Sequence, residues 1–98
     1  MQIPRQISVG RKTYAVTRPQ TIQDPASYGR TYYNENRIEI ARFDNQGIAY
    51  DQEEVSDTFW HELTHAILYD MGHPLCDSER FVTAFANRLS SAINSAKL

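Results

Sequence analysis

From Asp51 to Gly72 the chain carries one long helical pattern with both ends marked, and this element constrains what 98 residues can build around it. Asp51 followed by Glu54 three residues on is a capping-box pattern, with aspartate in place of serine or threonine. Gly72 and Pro74 mark the far end, which predicts a helix of roughly twenty residues, about 30 Å long. On a helical wheel Val55, Phe59, Leu63, Ala66 and Ile67, with Trp60 and Met71 at the edge, form an apolar stripe that should face the core. Thr58, His61, Glu62, His65, Leu68 and Tyr69 fall on the other side.

The rest of the chain supplies the cover. Ile7 and Val9, then Tyr14 and Val16, alternate with polar residues about Gly10-Arg11, which reads as a hairpin. Pro19 to Gly29 has little periodicity and contains Pro25, so it reads as a loop with room for a short helical turn. Thr31 to Tyr33, the turn-prone Asn34-Glu35-Asn36, and Arg37 to Ala41 predict a second hairpin, closed off by Asp44-Asn45-Gln46-Gly47. A second helix is expected from about Ser78 to Ala96, capped by Asp77, with a stripe of Phe81, Val82, Phe85, Ala86, Leu89, Ala92 and Ile93. The expected fold is α+β: a small, twisted, mainly antiparallel sheet of two hairpins followed by two helices, as one domain over residues 1–98.

His61-Glu62-Leu63-Thr64-His65 is an HExxH sequence, and its position on a helix gives it chemical meaning. Residues i and i+4 are one turn apart, so both imidazoles can reach one ion at the usual bond length of about 2.0–2.1 Å. Glu62 lies about 100° round the helix from His61, where it reaches a water on the metal rather than the metal itself. Zinc lowers the pKa of such a water towards about 7, and a neighbouring carboxylate accepts its proton as it attacks a carbonyl. The three histidines and six glutamates of this chain, shuffled at random, produce the pattern about 0.4% of the time.

Catalytic zinc usually takes three protein ligands, leaving one position open for water. His73 lies just past the helix end and can curl back; Cys76 is the single cysteine; Asp77 is expected to be occupied as a helix cap. Met71 stands six residues after His65, where the metzincin pattern has a histidine, so that pattern fails. Glu79 falls in the first turn of the second helix, at the margin of its stripe, and is the favoured third ligand, with His73 and Asp77 as alternatives.

The run from Phe59 to Leu68, then Glu79, then Phe85-Ala86-Asn87-Arg88-Leu89, resembles the minimal gluzincins and the related ImmA/IrrE-type metallopeptidases. The segment Gly29 to Ala41 also resembles the strand pair that precedes their active-site helix. The similarity covers roughly residues 29 to 90 and implies a minimal zincin fold of phage or bacterial type. It also implies His61, His65 and Glu79 as ligands of one Zn2+ per chain, with Glu62 as general base. Thr64 stands where many of those relatives have glycine.

Other features set the surroundings. Tyr69, four residues after His65 and on its face, can donate a hydrogen bond to an oxyanion, although packing at the cleft wall is the commoner role. Tyr28, Tyr32 and Tyr33 are candidates to line the cleft, and Arg37 to Ala41 offers an edge for an extended peptide. A net charge of −2 with scattered basic residues argues against nucleic acid or an anionic membrane as partner. That scatter also counts against a SprT-like domain with His73 as ligand. One cysteine and no long apolar run at the N-terminus lead to the expectation of a cytoplasmic protein. The function expected is a zinc-dependent endopeptidase acting on a protein or peptide; the alternative is a catalytically inactive, zinc-stabilised interaction module.

Overall fold

The computed structural model describes residues 2–23 and 27–96. Four strands and two helices follow one another: β1 (Gln6–Val9), β2 (Lys12–Thr17), β3 (Gly29–Tyr32), β4 (Arg37–Ile40), α1 (Gln52–Asp70) and α2 (Glu79–Ser95). The strands form one sheet in the order β1-β2-β4-β3. β1 and β2 pair antiparallel with Val9 opposite Lys12, so Gly10-Arg11 is a two-residue turn, and Gly10 takes the positive φ (60°) that it needs. β3 and β4 pair antiparallel with Tyr32 opposite Arg37, leaving a four-residue turn in which Asn36 adopts φ 49°.

Between the hairpins, β2 and β4 run parallel. The chain therefore crosses from β2 to the far edge, lays down β3, and returns as β4 between them. The crossing is tied down by Arg18 Nε donating to the Ile40 carbonyl (3.0 Å), and by the Arg42 and Phe43 amides donating to the Pro19 and Gln20 carbonyls. Among the described residues, the loop expected over Pro19 to Gly29 has no helix or strand until β3 opens at Gly29; its residues 24–26, Pro25 among them, lie outside the described residues. Because β4 is an interior strand, it is not the free edge expected for Arg37 to Ala41. That edge belongs to β3.

α1 lies across one face of the sheet, and the core forms between them. Val9, Tyr14, Val16, Ile38 and Ile40 from the strands meet Val55, Phe59, Leu63 and Ala66 from the helix. Asp51 caps α1 as expected, its side chain accepting the Glu54 amide (2.8 Å) while Glu54 accepts the Asp51 amide (3.1 Å). The helix ends in a Schellman arrangement: the Gly72 and His73 amides donate to the Tyr69 and Leu68 carbonyls, with Gly72 at φ 65°.

α2 packs on α1 and, among the described elements, on no strand. This rotates both expected stripes. Leu68, assigned to the polar side, is buried, whereas Ile67 and Met71, assigned to the core, are exposed. On α2 the buried seam is Val82, Ala86 and Ser90, and Phe85 and Ile93 of the expected stripe are exposed. A wheel assumes one covered side, but α1 is covered on two and α2 on a single narrow one. The cap of α2 is Ser78, not Asp77: Ser78 Oγ accepts the Phe81 amide at 3.2 Å, and Asp77 falls one residue outside the helix.

Candidate metal centre

His61 and His65 project one turn apart from α1, their rings 5.0 Å between centroids and 68° between planes. The turn at Gly72 reverses the chain, so Glu79, the first residue of α2, comes back over them. Glu79 Oε2 lies 3.1 Å from His61 Nε2 and Oε1 lies 2.8 Å from His65 Nε2. One ligand atom from each of His61, His65 and Glu79 thus falls within 4.8 Å of the other two, a grouping that can hold a metal ion. His73 is outside it: its Nδ1 accepts the Leu75 amide (3.1 Å) and its ring stacks on Phe81. Asp77 is also outside it, accepting a hydrogen bond from the Tyr33 hydroxyl (3.4 Å).

The hydrogen bonding of His65 limits what can occupy this point. Its Nδ1 is 2.6 Å from the Cys76 carbonyl oxygen, an acceptor only, so Nδ1 carries the proton and donates. A neutral ring then turns the Nε2 lone pair towards a carboxylate oxygen 2.8 Å away. Two lone pairs cannot face one another at that distance without a cation between them, either a proton or a metal. A histidine whose far nitrogen donates to a backbone carbonyl is also the usual support for a metal ligand. Two imidazoles and one carboxylate form a borderline donor set that suits zinc, so the residues present fit the ion.

Glu62 sits beside the cluster without belonging to it. Its residue is 6% exposed, and Thr31 Oγ1 of β3 donates to its Oε1 at 2.8 Å. Burial pushes the carboxyl above its ordinary range, while the Thr31 hydrogen bond and the two histidines pull it back and Glu79 adds to the rise. β3 can approach so closely because of Gly29: a Cβ there would stand 2.6 Å from Thr58 Cγ2 and 3.0 Å from Glu62 Cγ.

These groups open into a cleft of about 730 Å³. One wall is Ser27 to Thr31 with Tyr33; the other is formed by Glu54, Asp57 and Thr58 of α1 and Thr83 and Asn87 of α2. Tyr33 is one of the tyrosines expected at the cleft. It lines the cleft, and burial together with Asp77 raises its pKa, keeping the phenol protonated. Tyr69 stacks on it at 4.0 Å with Lys12 over its ring, and is not part of the lining. Tyr28 lines the cleft as expected, while Tyr32 turns away to donate to Glu39 Oε1 (3.0 Å).

Three contributors were not expected: Thr31, Tyr33 as holder of Asp77, and the Cys76 carbonyl. The last is a backbone atom, and no side-chain pattern announces it. No helix among the described residues is long and apolar enough to cross a membrane. Compared with known proteins, the chain matches no family model, no curated protein and no solved structure.

Proposed function

We propose that the chain is a zinc-dependent endopeptidase in which His61, His65 and Glu79 hold one zinc ion and Glu62 is the general base. The carrying observation is the pair of imidazole nitrogens aimed at one carboxylate, with His65 locked by the Cys76 carbonyl so that its Nε2 is free for a cation. A bound zinc ion would supply Lewis-acid chemistry, acidifying a water and polarising a substrate carbonyl.

The remaining work falls to the chain. An extended peptide finds backbone partners along the free edge of β3, which borders the cleft. Glu62 accepts the proton of the attacking water and delivers it to the leaving amine. Its burial supports this role: a raised pKa makes the carboxylate a stronger base towards the water's proton, and the leaving amine is basic enough to take that proton on. The protonated Tyr33 phenol is a hydrogen-bond donor on the same wall.

The test is Glu62→Gln with fluorescein-labelled casein as substrate. Zinc content is expected to match wild type, and turnover to fall by about 10²–10⁴. Equal turnover in both proteins would refute the role of Glu62. Zinc retention without turnover in either would instead support a zinc-stabilised interaction module.

A further inference from the structure

We propose that Thr31, on the edge strand, is a positioning residue that sets the Glu62 carboxylate for proton transfer. The inference rests on the reading of Glu62 as the general base. Thr31 Oγ1 is 2.8 Å from Glu62 Oε1 and 3.1 Å from the Glu62 backbone carbonyl. A hydroxyl has one proton, and the shorter, charge-assisted contact takes it. Among the described residues no other hydrogen bond reaches that carboxylate. Oε1 is therefore occupied, which restricts the rotation of the carboxylate and leaves the second oxygen to exchange a proton.

Gly29 lies on the same face of β3, two residues earlier. A Cβ there would stand 3.0 Å from Glu62 Cγ, so the glycine lets the strand come close enough for Thr31 to reach the carboxylate. A glutamate has three rotatable side-chain bonds, and a buried one without such supports has several orientations that miss the reacting atoms. β3 thus both borders the cleft and orients the base.

The test uses the full chain loaded with Co2+ and titrated with acetohydroxamic acid, read by visible absorption of the cobalt. This ligand chelates a divalent ion through two oxygens and passes its hydroxyl proton to a carboxylate beside the metal, so its affinity reports where that carboxylate stands. Thr31→Val is expected to weaken binding about tenfold, the size of a lost hydrogen bond to a charged group. Thr31→Ser is expected to restore affinity to within about threefold.

In a Glu62→Gln background, Thr31→Val is expected to add no further loss. A merely structural role predicts the opposite, because the contact from Thr31 to the Glu62 backbone carbonyl survives in that background. Should Thr31→Val not fold, Thr31→Ala, which only removes atoms from a half-buried site, takes its place. Wild-type affinity in the Thr31 variant with weakened Glu62→Gln overturns the positioning role and leaves Glu62 as base. Wild-type affinity in Glu62→Gln overturns the base reading and this inference with it, and failure to bind cobalt overturns the metal site itself.

Discussion

Gly29→Ala probes how tightly the edge strand is set against α1. The added methyl would stand 2.6 Å from Thr58 Cγ2 and 3.0 Å from both the Glu39 carbonyl oxygen and Glu62 Cγ, where ordinary contacts begin at 3.4 Å. Thr58 cannot rotate away freely, because its Oγ1 donates to the Glu54 carbonyl at 2.8 Å. β3 and α1 must therefore part by roughly 0.8 Å, which for an overpacked site costs about 1–3 kcal/mol. Gly29 does not have a positive φ, so alanine also recovers about 0.4–1 kcal/mol by restricting the unfolded chain. The midpoints of these ranges leave a net loss of about 1.3 kcal/mol, which lowers the melting temperature by about 5–10 °C in a domain of this size. The same separation stretches the 2.8 Å bond from Thr31 to Glu62 beyond hydrogen-bonding range, while the three metal-site side chains, none of them on β3, stay together. Thermal melts followed by circular dichroism, with Thr58→Ser added, check this account. Serine removes Cγ2 and keeps the bond to Glu54, so the double variant is expected to regain part of the loss, the contacts to Glu39 and Glu62 remaining. A Gly29→Ala protein as stable as wild type would refute the close approach.

The other perturbations are simpler. Glu79→Ala is expected to abolish the rise in melting temperature on adding zinc, which for wild type at a hundredfold excess over Kd is about 2.7 kcal/mol of stability; Asp77→Ala is expected to retain it, and a reversal in calorimetric titrations would move the third ligand to Asp77. In metal-free protein, Glu62 has a folded-state pKa above its ordinary 4.5, so its contribution to stability is complete below that value and is lost as pH rises through the higher one. Glu62→Gln should therefore melt above wild type in chelator near neutral pH, with the gap closing towards pH 4; a gap that widens on acidification would reverse the sign of the burial argument. The Tyr14 hydroxyl is buried without a hydrogen-bond partner among the described residues, so Tyr14→Phe should be neutral or slightly stabilising in urea melts, and a loss above about 1 kcal/mol would expose an uncounted partner.

What the chain reveals before folding depends on how local its cause is. The capping box at Asp51, the turn at Gly10 and the stop at Gly72 are decided within a few residues, and each lies where its pattern puts it. The hairpins also follow from alternation and turn residues. The parallel contact of β2 with β4 does not: it depends on which strand of the second hairpin docks against the first, a pairing between segments some twenty residues apart that no local turn or cap decides. The exposed Ile67 and the buried Leu68 fail for the same reason, since the side of α1 that α2 covers is set by the turn at Gly72 and not by the composition of α1.

The three side chains of the candidate metal centre divide along the same line. His61 and His65 are legible because one helix fixes their separation, so spacing alone implies a shared point in space. Glu79 is 18 residues from His61, and its place beside the histidines follows only if the reversal at Gly72 lands the first turn of α2 over α1. The cap of α2 is not legible because two adjacent residues, Asp77 and Ser78, can each cap a helix, and propensity does not choose between neighbours. Thr31 is the hardest case. Its threonine is an ordinary strand residue by every local measure, and its role arises only from a glycine two positions earlier that lets the strand close on the helix. That dependence is a physical one: a Cβ at 29 would meet Thr58 Cγ2 at 2.6 Å, so a side chain there is expected to lift the hydroxyl at 31 away from Glu62. The pair Gly29 and Thr31, with HExxH downstream, is therefore a joint condition that neither residue signals alone.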